Sequence, residues 1–190
     1  MRDFKDISYL QEGNEKQRRA FEVMTKLGIL NVLKEYDPIL VGTIPISIDT
    51  DKSDLDIICH VKNFEEFTIL VKDHFGTCKD FLITSDKTAP TVINFIYDNF
   101  DFELYASSEP TSMQNGYRHM LIEDRLLTLL GQEFKEQVIN LKKSGLKTEP
   151  AFAKLLDLEG NPYQALLDLE ELSDEQLKNL FKFFLRLLCR

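Results

Sequence analysis

The chain has 190 residues, 43% of them hydrophobic and 29% charged, with a formal net charge of −9 at pH 7. That is ample apolar material for the core of one domain of ordinary size, and no run approaches the ~18 consecutive apolar residues of a membrane span. The acidic balance argues against long nucleic acid as a partner, because a general grip on phosphate backbones needs a basic face, and the cations here are scattered, with a mild concentration at Lys142, Lys143 and Lys147.

The opening Met1-Arg2-Asp3-Phe4 lacks the apolar segment of a secretory signal, and Cys59, Cys78 and Cys189 show no C-x-x-C spacing. A reduced, cytoplasmic location without a structural zinc site is expected. Asn14 to Tyr36 repeats its apolar residues at helical spacing, with Asn14 and Gln17 set as a cap and Gly28 as a bend. Asp37-Pro38 ends that helix and launches a strand over Ile39-Leu40-Val41, followed by the turn Gly42-Thr43. A second strand, Asp54-Leu55-Asp56-Ile57-Ile58-Cys59, runs to about Val61. Asn63, with Glu66 three residues on, opens a helix that reaches Gly76.

Cys78 to Thr84 predicts another strand. Thr91 to Tyr97 and Phe100 to Tyr105 then flank Asp98-Asn99, and both turn residues tolerate the positive φ that a two-residue hairpin demands. Such a turn pairs Tyr97 with Phe100, Ile96 with Asp101 and Asn94 with Glu103, leaving Asp101, Glu103 and Tyr105 on one face with Asn94, and Phe100, Phe102 and Leu104 on the other with Phe95 and Tyr97. From Met113 on the pattern is helical: 113–130, 134–143, 149–156, 162–171 and 173–190. The predicted fold is α/β (α+β), a small mixed sheet of four or five strands with packed helices over 1–107, followed by a helical region over 108–190 packed on that core as one compact unit. The last helix offers an apolar stripe that suits a core contact or a homodimer.

Asp54 and Asp56, spaced i, i+2 on a strand, point to one face, while Leu55 and Ile57 point to the other. Two acids held side by side repel, and a divalent cation with oxygen ligands relieves that cost. Gly42-Thr43, the loop Ile44 to Ser53 and then Asp54-Leu55-Asp56-Ile57 resemble the signature of the nucleotidyltransferase superfamily, the one that includes polymerase β. Gly42-Thr43-Ile44-Pro45-Ile46, Tyr117-Arg118-His119-Met120 and Gly145 to Ala153 resemble, more narrowly, a bacterial family within it that is catalogued as a domain of unknown function.

The resemblance implies transfer of a nucleoside monophosphate from an NTP to a hydroxyl on a small molecule, a protein or an RNA end, with Mg²⁺ or Mn²⁺ on three carboxylates. Asp54 and Asp56 supply two of them, and the hairpin offers Asp101 or Glu103 as the third; Glu103 is preferred for its deeper, apolar-flanked position. Gly42, Thr43 and Ser53 would meet phosphate oxygens, and Arg118, His119 and Lys147 would supply countercharge. Gln114 and Arg118, four residues apart, share one face of the predicted helix, which a phosphate or a base could use. Two features depart from the superfamily form: Thr43 stands where Ser or Gly is usual, and apolar Ile44-Pro45-Ile46-Ser47-Ile48 stands where a cation is common. They favour the alternative, a non-catalytic nucleotide-binding or interaction module on the same fold.

Overall fold

The structure, a computed structural model, describes residues 3–85 and 90–182. These fall into two compact units, one drawn from Met1–Ser47 and Lys52–Tyr117, the other from Ile48–Asp51 and Arg118–Arg190.

The first unit is a five-stranded mixed sheet with helices on its apolar face. Its strands are β1 (Ile39–Val41), β2 (Leu55–His60), β3 (Lys79–Thr84), β4 (Thr91–Tyr97) and β5 (Phe100–Ser107), in the order β1-β2-β5-β4-β3. All neighbours are antiparallel except β2 and β5, which run parallel. The β4–β5 hairpin has the predicted register, Tyr97 with Phe100, Ile96 with Asp101 and Asn94 with Glu103. Asp98 (φ 49) and Asn99 (φ 64) both take the left-handed conformation that such a turn requires.

Helix α1 (Glu15–Leu27) starts on a reciprocal cap in which Asn14 accepts from the Gln17 amide and the Gln17 side chain accepts from the Asn14 amide. Gly28 (φ 68) ends it and turns the chain into the short α2 (Ile29–Val32). Helix α3 (Phe64–Phe75) begins where Asn63 Oδ1 accepts from the Glu66 amide. Ala20, Val23 and Met24 of α1 and Phe67, Val71 and Phe75 of α3 share one core with Leu55, Ile57, Phe95, Phe102 and Leu104 of the sheet. Phe95 stacks on Phe75 (5.4 Å) and on Phe102 (5.0 Å). These helices take the apolar face, which leaves the odd-numbered acids of β5 and Asp56 of β2 on the other. A short 3₁₀ turn at Ile7–Glu12, unmarked by any strong periodicity, adds Leu10 to the core.

The second unit is helical. The stretch α4 (Asn115–Lys143) is broken at Gly131, whose φ of 82 is not helical, so the two predicted helices meet there. α5 (Thr148–Leu156), α6 (Pro162–Leu167) and α7 (Asp174–Leu180) follow. Phe134 and Phe152 meet edge-on, and Arg125 binds Asp174 and the carbonyls of Glu170 and Leu172. The predicted final helix starts at its Ser173 cap, while its end, with Cys189 and much of the stripe proposed for dimer contact, lies outside the described residues. Among the described residues, no helix is long and apolar enough to cross a membrane.

Candidate functional site

Parallel pairing of β2 with β5 sets Asp56 directly beside Glu103, an adjacency across 47 positions that no local pattern announces. Neighbouring strands lie about 4.8 Å apart, so the two carboxylates face the same small volume. Asp54, exposed, precedes β2, and its charge acts on Glu103. Burial first, and then Asp54, push the half-buried Glu103 carboxyl above its ordinary range. Asp101, two residues nearer the turn, is exposed. Among the described residues, no three His, Cys, Asp or Glu side chains already converge as a metal-binding group.

The turn after β1 closes on the same place. Gly42 sits at φ 83, and a Cβ there would stand 2.7 Å from Asp56 Oδ2, so both the backbone angle and the proximity of the carboxylate demand glycine. Thr43 Oγ1 and Ser53 Oγ lie 2.8 Å apart, which ties the two ends of the intervening loop together. Inside that loop Ile44, Pro45 and Ile46 are buried. The buried Gln17 reaches across from α1 and donates to the Ile44 and Pro45 carbonyls (2.7 and 3.3 Å). The apolar residues that take the place of a cation are therefore core residues.

Arg118, His119 and Lys147 belong to the other unit. Arg118 donates twice to Glu170 Oε2, at 3.1 Å from Nε and 2.6 Å from Nη2. His119 Nε2 stands 2.9 Å from the Tyr163 carbonyl, which makes Nε2 the protonated nitrogen, and Nδ1 faces Glu149 Oε1 at 3.8 Å. Lys147 is exposed at the start of α5. Gln114 lies outside α4, in extended backbone, so it does not share a helical face with Arg118. It is buried and donates to the Cys59 and Glu109 carbonyls. Glu123, one helical turn from His119, escaped the sequence reading. It is buried, its Oε1 has no partner among the described residues, and burial followed by the Glu149 charge raises its carboxyl well above the ordinary range. The i, i+4 spacing of His119 and Glu123 within an otherwise apolar stripe was the signal available.

A family model described as "Domain of unknown function (DUF4269)" matches residues 22–169. No curated protein matches the sequence. Among solved structures, Cid1, an RNA terminal uridylyl transferase, is similar at a TM-score of 0.56 and 10% identity over 84% of this chain and 52% of that one. The GLD-2/RNP-8 complex is similar at 0.53 and 15% identity, over 79% of this chain and 61% of that one. The polymerase core of TRAMP, an RNA surveillance complex, is similar at 0.50 and 13% identity, over 95% of this chain and 61% of that one. The chain thus spans about half to three-fifths of these proteins, and at such identities the likeness is one of fold, the nucleotidyltransferase fold.

Proposed function

The chain belongs to the DUF4269 family, and from that membership and its nucleotidyltransferase fold we propose that it transfers a nucleoside monophosphate from an NTP to a hydroxyl. The observation that carries the reading is the parallel register that seats Asp56 beside Glu103, with Asp54 acting on the same carboxyl. Acids on one sheet face, one of them raised by burial and a like charge, make an all-oxygen donor set that suits Mg²⁺ or Mn²⁺. Bound there by Asp54, Asp56 and Glu103, such ions would stabilise the attacking and leaving oxygens.

The chain's own residues would do the rest by positioning. Gly42 lets backbone approach a phosphate oxygen without a side chain in the way, and the Thr43–Ser53 hydroxyl pair can turn one O–H outward to donate. In the transfer, the acceptor oxygen bonds to the α-phosphorus, the bond from that phosphorus to the β-phosphate oxygen breaks, and pyrophosphate leaves. Arg118, His119 and Lys147 are proposed as countercharge on the strength of the sequence likeness. Cid1 is described with MgGTP bound, which supports magnesium and an NTP as the class of ligand here.

A second reading, a nucleotide-binding module without transfer, is favoured by the buried loop after Thr43 and by the engagement of Arg118 and His119 within their own unit. One experiment separates them. Melting of wild type and of an Asp54→Asn, Asp56→Asn double variant is followed with each NTP, with and without Mg²⁺ or Mn²⁺, alongside pyrophosphate release over a broad hydroxyl panel. A nucleotide at about a hundred times its Kd adds about 2.7 kcal/mol to the native state. A metal-dependent shift and pyrophosphate release, both lost in the double variant, are expected. A shift without release supports the binding module, and equal release by the double variant sinks the carboxylate assignment.

A further inference from the structure

The register defines a row across the open face of the sheet: Val41, Asp56, Glu103, Asn94 and Leu82, one residue from each strand. Its two ends differ chemically. Beyond Val41 come Gly42, at positive φ, and the Thr43–Ser53 hydroxyls, which are backbone and side-chain donors suited to an anion. On the far side of Glu103 lies Asn94, half-buried and neutral, with one carbonyl acceptor and two N–H donors. Asp101, two residues from Glu103 along β5 and opposite Ile96, is exposed and adds a second acid to that strand's open face. A triphosphate whose phosphates run toward Gly42 ends on the donors there, whereas one laid toward Asn94 leaves them behind and finds only the neutral amide past Glu103. Two strand spacings, about 9 to 10 Å, separate Asp56 from Asn94.

We infer that Asn94 holds the acceptor, its amide binding the attacking hydroxyl on the side of Glu103 opposite the Gly42 turn, and that this acceptor is uncharged or cationic. The inference rests on the nucleotidyl-transfer reading and gives that reading a direction along the sheet. An amide suits the task because it can accept from the attacking O–H or donate to its oxygen, and it holds its partner without adding charge. Water is the smallest such acceptor. Its oxygen bonds to the α-phosphorus, the bond to the departing pyrophosphate breaks, one proton goes to the medium, and NMP and pyrophosphate are the products.

The test therefore needs no natural acceptor. Wild type, Asn94→Ala and Asn94→Ser are compared for Mn²⁺-dependent thermal shift with ATP, CTP, GTP and UTP, and for slow NMP release from the best-bound nucleotide. The expected result is an unchanged nucleotide shift and half-saturating concentration, with NMP release down about ten- to hundredfold in Asn94→Ala and partly restored in Asn94→Ser. The unliganded melting temperature of each variant shows whether it has folded, and Asn94→Ser stands in if Asn94→Ala has not. Loss of the nucleotide shift would place Asn94 at the nucleotide and overturn the inference. Unchanged release overturns it too, as does a wild type that binds nucleotide but releases no NMP. Extension of a short oligoribonucleotide in preference to neutral polyols would overturn the stated acceptor class. Absence of any nucleotide shift in wild type is a separate failure, that of the nucleotidyl-transfer reading itself, and it registers before any Asn94 variant is measured.

Discussion

A single missing methyl group shapes the floor of the proposed site. Gly42 combines a φ of 83 with an Asp56 carboxylate oxygen 2.7 Å from where a Cβ would be. Substitution therefore acts in two ways that can be measured apart. The left-handed backbone costs an L-residue about 1–2 kcal/mol, which a urea midpoint reads. The Cβ also displaces Asp56 Oδ2, and a shifted carboxylate weakens a metal-dependent nucleotide far more than it weakens the fold. Gly42→Ala should thus lose about 1–2 kcal/mol of stability and most of any Mg²⁺-dependent nucleotide shift. Loss of stability with full nucleotide binding would show that Asp56 moves freely and has no fixed part in the site.

The loop after β1 works at the scale of elements, and α1 holds it. Gln17 accepts from the Asn14 amide at the start of α1 while its Nε2 donates to the Ile44 and Pro45 carbonyls, so one buried side chain closes a helix end and anchors the loop. Gln17→Ala removes a cap partner and leaves buried carbonyls without their donor, so a loss of about 1–3 kcal/mol is expected in chemical denaturation. Faster amide exchange in Ile44–Ser47, where the Ser47 amide donates to the Ile44 carbonyl at 3.1 Å, should accompany it. A variant as stable as wild type would reduce Gln17 to a surface cap. The half of this role that is local was legible in the sequence, because Asn14 and Gln17 carry a capping signature. The other half was not, since Ile44 lies 27 positions away. The same division runs through the molecule. The Asp98-Asn99 hairpin, the helix starts at Asn63 and Ser173, and the two-faced pattern of β5 depend on neighbours in sequence and were read correctly. The tie from Arg118 to Glu170 and the withdrawal of Gln114 into the core depend on chain crossings, which leave no local trace, and the pairing of Asp56 with Glu103 was foreshadowed by the family resemblance alone, not by any local pattern.

For the whole molecule, the response to pH sets two kinds of carboxylate against each other. Asp37, bonded by Lys5 and Thr111, and Asp98, bonded by Lys26 and Arg19, are held below their ordinary range. Their stabilisation is present above the unfolded value of 3.8 and is lost as pH falls through the lower native one. Glu123 has the opposite sign. Burial, then Glu149, raise it well above 4.5, and Lys142 only partly opposes them, so the native state keeps a proton that the unfolded chain releases. Between 4.5 and the raised native value, stability from this group therefore falls as pH rises, by up to about 1.4 kcal/mol per pH unit. Glu123→Gln keeps the shape and polarity of the neutral acid while removing its titration. Urea midpoints of variant and wild type should nearly coincide close to pH 4.5 and diverge in favour of the variant toward pH 8, while acid unfolding below pH 4, governed by Asp37 and Asp98, is unchanged. Parallel curves across the whole range would mean that Glu123 ionises freely in the native protein, through a solvent path or through the His119 and Lys142 side of its surroundings.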